Sequence, residues 1–292
     1  MSELVKVQVA IFGVLDFRID GVSQHIGLSG PTRSLLQYLL CFQDRLSRRE
    51  QLMELFWPHT KVERRRSSLN SAIWRIKKAL KPFPKLDVDA MADCVRLVGV
   101  PDPTVEIDVL RLEDALRAVD DADPSDDAHL ASLISALDIC VAVPLDGLED
   151  DWALIERERL EALRLRGLTV AMRRLAALRR YDEALEMGRR ILVLEPYREC
   201  AFQEVLCLHV LNGERARVMQ LYDRFHASLQ RDLGIEPMAE TSALREYLAS
   251  DRCTSPTGPL ATLASGKASM RLGVDTLLSS IQHSREAVRL SA

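Results

Sequence analysis

Leu69, Ile73, Ile76 and Leu80 recur at intervals of four, three and four residues, one stripe of an α-helix. At 100° per residue the opposite face carries Ser67, Ser71, Arg75 and Lys78, with Trp74 and Lys81 beside it. Upstream the periodicity is different. Val5–Phe12 and Val14–Asp20 alternate apolar and polar positions, which predicts two strands. Ser29-Gly-Pro31 opens a helix through about Gln43, with Leu35, Leu36, Leu39 and Leu40 as its core face. Ser47-Arg-Arg-Glu50 reads as a capping box for a second helix ending near Trp57-Pro58. Thr60-x-x-Glu63 reads as another, placed to start the basic helix. Lys85–Asp89 and Cys94–Val98 then form a hairpin around Asp89–Asp93. Strands, three helices and a hairpin in this order predict a winged helix-turn-helix. Its third helix is the recognition helix and the hairpin is the wing.

Beyond Pro101 and Pro103 the pattern turns helical. An amphipathic helix is expected over Glu106–Val119, followed by an acidic break at Asp120–Asp127. Helical periodicity resumes at about 128–142, 152–179, 182–194, 198–212, 215–231 and 239–249. Ala184/Leu185 and Val218/Met219 are equivalent apolar pairs 34 residues apart, and Glu-Pro closes a unit at Glu195-Pro196 and at Glu236-Pro237. A 34-residue helix-turn-helix period is the tetratricopeptide pattern, whose repeats stack into a concave interaction surface. From Ser250 the composition shifts to Ser, Thr, Gly, Pro and Ala, and Met270–Leu290 has the length of a short helix. The expected organisation is an α+β winged helix-turn-helix domain (1–104), an all-α tetratricopeptide-like domain (105–250), and a linker with a short helix (251–292).

Charge sharpens this picture. Residues 1–104 hold 16 Lys/Arg against 11 Asp/Glu, and the remainder holds 23 against 32, within a chain of net charge −4. Nine of the basic residues fall between Lys61 and Lys85, with Glu63 the one acid among them. A mildly acidic chain with one concentrated basic segment confines any contact with nucleic acid to that segment. Small Ser67 and Ser71 permit close approach to a major groove, and Arg75 has the fork that grips a guanine edge. Arg64, Arg65, Arg66, Lys77, Lys78 and Lys81 are candidate phosphate contacts, and Trp74 is placed to pack beside them. Taken alone, such a helix reads more readily as a merely solvated basic face; the order of elements around it reverses that and favours DNA.

Other classes find little support. The N-terminus lacks a signal peptide's apolar run, and no stretch of 18 apolar residues is long enough to span a membrane. Six cysteines without a C-x-x-C pair fit a reduced, cytoplasmic setting, with Cys200 and Cys207 on one helix face. There is no G-x-x-x-x-G-K-[ST], no G-x-S-x-G, and no Cys/His spacing suited to zinc. No cofactor, metal or enzymatic activity is expected. Trp57 and Trp152 read as packing anchors, and Glu149–Asp151 with Glu156–Arg159 as a solvated, ion-paired helix face.

Three segments carry a family resemblance: Leu28-Ser-Gly-Pro-Thr-Arg-Ser-Leu-Leu36, Leu55-Phe-Trp-Pro58 and Leu69-Asn-Ser-Ala-Ile-Trp-Arg-Ile-Lys-Lys-Ala-Leu80. Together they resemble the OmpR-type winged helix used in SARP-type transcription factors. Glu106–Leu116, Leu148–Leu160 and Leu221–Pro237 are similar to the bacterial transcriptional activator domain of that family. The resemblance implies a DNA-binding transcription regulator, an activator that recruits RNA polymerase at promoters. By it, Arg75 falls on a base-approaching arginine and Lys77 and Lys78 on the basic positions that follow. His59 and Lys61 fall in the loop that contacts polymerase in OmpR-type relatives. Implied partners are double-stranded DNA, RNA polymerase and a second copy as a homodimer, with no membrane and no specified effector. The wing tip, Asp89-Ala-Met-Ala-Asp93, departs from the family's glycine-tyrosine or arginine-bearing tip, leaving Arg96 as the nearby cation. No receiver domain is expected ahead of residue 5. The alternatives are a tetratricopeptide-type adaptor or regulatory subunit whose winged helix makes protein contacts.

Overall fold

The computed structural model of the chain describes residues 5–43, 45–123 and 126–249. The expected linker and Met270–Leu290 helix, with Cys253, lie outside the described residues.

The first strand, β1 (Val7–Ala10), pairs antiparallel with β2 (Asp16–Ile19), which pairs in turn with β3 (Val22–Gln24). Alternation buries Val7, Val9 and Phe17, and the Phe17 ring meets Phe83 at 4.9 Å. Three helices follow: α1 (Gly30–Cys41), α2 (Arg49–Phe56) and α3 (Val62–Leu80). Between α1 and α2, Ser47–Arg48 forms the short strand β4, which pairs with β6 (Cys94–Val98); β6 pairs with β5 (Asp87–Ala90). The expected winged helix-turn-helix is present, with its hairpin in the expected place. Neither capping box forms. Ser47 is drawn into the sheet, so Arg48 becomes the N-cap of α2, and α3 starts after Lys61 rather than Thr60; neither cap makes a side-chain bond.

The fourth expected helix begins later than its periodicity suggested. Val105–Ile107 forms β7, which adds to β1 in parallel, giving the sheet order β3-β2-β1-β7. Residues 105 and 107 point into the core as strand positions, and only from Asp108 does the chain turn into α4 (Asp108–Asp121). Then come α5 (Asp127–Ile139), α6 (Asp151–Ala177), α7 (Tyr181–Leu194), α8 (Glu199–Leu211), α9 (Arg215–Leu233) and α10 (Ala239–Ala249), close to the expected spans.

The described residues form two compact units, one within 5–117 with 135–164 and the other within 118–134 with 165–249. In the second, α7 and α9 begin 34 residues apart, and their first six residues have the same order of half-buried, exposed and buried positions. Ala184 and Val218 are the buried member of each pair, as a tetratricopeptide-like repeat requires. Gly188 marks the α7–α8 crossing, where a Cβ would lie 2.5 Å from Val205 Cγ2. Cys207 is buried in α8, but Cys200 is exposed in that helix's first turn, so the two do not share one buried face. Among the described residues no helix is long and apolar enough to cross a membrane.

Candidate nucleic-acid interface

Helix α3 is held by Leu69, Ala72, Ile73, Ile76 and Leu80, all buried, and it packs on α1, α2 and β5. That burial fixes what faces out. Arg64, Arg66, Ser67, Ser71, Trp74, Arg75, Lys78 and Lys81 are exposed, and Lys77 is half-buried at the margin. Arg64, Ser67, Ser71, Arg75 and Lys78 fall within about 40° of one line along the helix, with Trp74 roughly 60° to one side. The structure therefore brings most of the candidate residues onto one continuous stripe. Among the described residues Arg64, Arg66, Arg75, Lys77 and Lys81 have no ion-pair partner, whereas Arg159 and Arg173 of α6 and Arg180, the N-cap of α7, are matched to carboxylates. Lys78 Nζ lies 5.4 Å from the centre of the Trp74 ring, a cation–π contact within the stripe.

Two of the expected cations are otherwise engaged. Arg65 is half-buried and donates from Nε to the Thr60 carbonyl at 2.9 Å and from Nη2 to the Pro58 carbonyl at 2.7 Å. It clamps the α2–α3 turn and so fixes the turn that carries exposed His59 and Lys61. Arg96 stands opposite Asp89 in the β5–β6 register and pairs with it at 3.4 Å. The wing offers Asp87, Asp89 and Asp93 with no free cation beside them, so the stripe and the wing differ in sign. At the wing's base Gly99 has φ +97°, and a Cβ there would lie 1.8 Å from the Lys85 carbonyl oxygen, so only glycine closes the hairpin.

The sequence reading missed Arg49 and Asn70. The Arg49 backbone N–H donates to the Asp93 carbonyl at 2.9 Å, while its guanidinium reaches the Met91 carbonyl and the Asn70 side-chain oxygen. One arginine thus ties the wing tip to the exposed edge of α3. Only a three-dimensional register reveals this, because Met91 and Asp93 lie more than 40 residues beyond Arg49.

The unit that presents the stripe is completed by chain from beyond the wing. Trp152 Nε1 donates to Ser34 Oγ on α1 at 3.2 Å, and Ser34 donates to Asp150 at 2.8 Å. The Trp152 ring stands edge-on to Tyr38 and Phe56 at 5.3 and 6.1 Å, so it is the packing anchor expected of it. Buried Asp108 accepts the backbone N–H groups of Ile11 and Phe12, each at 2.8 Å. Burial pushes its carboxyl up to about 6, against the opposing pull of those N–H bonds. Arg157 holds the carbonyls of Pro144, Leu145 and Leu148, and Leu145 in turn bonds to Ile11.

Residues 107–248 match the bacterial transcriptional activator domain family. The segment is such a domain. With a winged helix ahead of that match, the order of domains resembles that of SARP-type transcription regulators. No curated protein matches the chain in sequence. Among solved structures, Mycobacterium tuberculosis EmbR in complex with a low affinity phosphopeptide is similar in fold, with a TM-score of 0.69 at 19% identity. That likeness covers 95% of this chain and 70% of EmbR. The activator-domain match starts at residue 107, inside β7, and its residues 107–117 and 135–164 belong to the same compact unit as the winged helix.

Proposed function

We propose that this SARP-type regulator binds double-stranded DNA in a sequence-specific manner and activates transcription. Helix α3 enters the major groove with Ser67 and Ser71 toward the groove floor. Arg75 grips a guanine, while Arg64, Arg66, Lys77, Lys78 and Lys81 meet phosphates. One observation carries the reading: exposed Arg64, Arg75 and Lys78, none with a carboxylate partner among the described residues, share one rigid helix face with the short side chains of Ser67 and Ser71. Such a row costs repulsion in the free protein and is relieved by a polyanion. Arg65 acts as the clamp of the α2–α3 turn, and any phosphate it meets comes second to that. The wing, with Arg96 already paired to Asp89, adds little attraction. His59 and Lys61 face outward on the clamped turn and are the proposed contact with RNA polymerase. The helical-repeat segment supplies self-association or partner binding, in a cytoplasmic protein without enzymatic activity.

The test is a titration of the purified chain against a duplex selected from a random pool, repeated over a salt series. Each phosphate contact contributes about 0.9 to the log–log slope, so five contacts predict a slope near −4.5. Salt-independent binding, or no selection of any sequence, would favour the adaptor reading, in which the winged helix meets protein.

A further inference from the structure

Trp74 is an anomaly on the stripe. It is the one large apolar side chain among the hydroxyls and cations of that face, it is 63% exposed, and its indole N–H has no acceptor among the described residues. Nothing in the folding of α3 requires it, because the core face is complete without it. An exposed indole in water leaves a large apolar area to be covered on binding.

Its position limits what covers it. Ser67 lies on the Trp74 side of the stripe and Ser71 on its mid-line, and both are short, so a groove floor approaches the helix there and the indole projects beyond them. Arg64, Arg66, Lys77 and Lys81 already supply the cations that reach the phosphate walls. The Lys78 ammonium covers one side of the ring, which leaves the ring edge and its other face for the DNA. Trp74 and Arg75 are consecutive and diverge by about 100° around the helix, so they reach different base pairs. In the major groove the apolar group that a base pair offers is the 5-methyl group of thymine.

Resting on the DNA-binding reading above, we infer that Trp74 is a specificity-determining residue that reads the thymine 5-methyl group, in the base step beside the one read by Arg75. The indole contributes contact area that a uracil in the same position cannot use, so T and U are told apart at that position alone.

The experiment replaces each thymine of the selected duplex by deoxyuridine, one at a time, and measures binding by the wild-type chain, W74A and W74F. For the wild type, one position should lose about fourfold in affinity, the worth of one buried methyl group. W74A should bind the selected duplex more weakly and show no difference between T and U there, while W74F keeps part of the discrimination. Circular dichroism and melting of W74A should match the wild type, since the side chain is exposed. Wild-type binding that is indifferent to every T-to-U change overturns the inference and leaves DNA binding standing. So does a W74A variant that keeps the wild-type penalty. Equal losses by W74A on the selected and a scrambled duplex assign the indole to sugar and phosphate packing and overturn it as well. Absence of binding to any duplex by the wild type overturns the function itself, and this inference with it.

Discussion

Trp152 donates its indole N–H to Ser34 across 118 residues of chain, so a side chain of the activator domain is built into the core of the winged-helix unit. The indole is only 8% exposed and closes an aromatic cluster with Tyr38 and Phe56. A fragment ending at residue 104 contains all of α3 yet lacks β7, Asp108 and Trp152. A fragment ending at residue 164 contains the whole first compact unit. The longer fragment should melt as a single cooperative unit and bind DNA. The shorter one should melt at a distinctly lower temperature, because β1 loses its parallel neighbour and α1 loses its aromatic cover. Thermal melts and duplex titrations of both fragments check this, and equal melting temperatures would refute it. W152A in the full chain should cost about 3–5 kcal/mol, in line with removing a large buried aromatic side chain.

Arginines 64, 65 and 66 are adjacent in sequence and differ in what they do. R64A and R66A remove exposed, unpaired cations and should each reduce the salt slope of DNA binding by about 0.9, with stability unchanged. R65A removes two hydrogen bonds to the Thr60 and Pro58 carbonyls, so it should lower stability by about 1–3 kcal/mol and change the slope less. A salt slope reduced equally by all three variants would show that the clamp is not Arg65's main role.

Much of this was legible in the sequence, for a physical reason. The 4-3-4 spacing of Leu69, Ile73, Ile76 and Leu80 sets the buried face of α3, and burial leaves Ser71, Arg75 and Lys78 outside. The 34-residue interval between Ala184 and Val218 likewise survives as equal burial. What was illegible depends on distant partners. Glu106 and Ile107 look like the first turn of a helix running to Val119, until β1 offers its edge and takes them with Val105 as a strand. Ser47 resembles a cap until β6 claims its backbone. Arg65 and Arg96 look like free cations because nothing local announces the Pro58 and Thr60 carbonyls or the Asp89 carboxylate that face them.

Asp108 makes stability depend on pH. Its folded-state pKa, about 6, lies above the usual aspartate value of 3.8 because the carboxyl is buried. Between about pH 4 and 6 the folded chain keeps this proton while the unfolded chain has lost it. Stability should therefore fall as pH rises through that window, by up to about 3 kcal/mol from this group, and be flat above it. D108N should abolish that part of the slope. D108A should be destabilised at every pH by about 1–3 kcal/mol, because the Ile11 and Phe12 N–H groups lose their acceptor. Chemical denaturation of the three proteins from pH 4 to 7 measures both effects, and parallel curves for wild type and D108N would rule out the titration.

Arg75 separates base reading from simple attraction. It lies one turn beyond Ser71 on the exposed stripe, carries no ion-pair partner among the described residues, and the Trp74–Arg75 pair is bracketed by the core positions Ile73 and Ile76. Its backbone is therefore rigidly placed while its guanidinium is free. Two parallel N–H donors match O6 and N7 of one guanine, so R75A should cost about 1–3 kcal/mol on the selected duplex and relax discrimination at one base pair. Affinity for a scrambled duplex should fall far less. R75K keeps the charge but not the planar fork, and should recover little of the loss on the selected duplex. If Arg75 met only a phosphate, Ala would weaken both duplexes by the same factor and Lys would restore most of it. Titrations of the two variants against the two duplexes at one salt concentration decide between these outcomes.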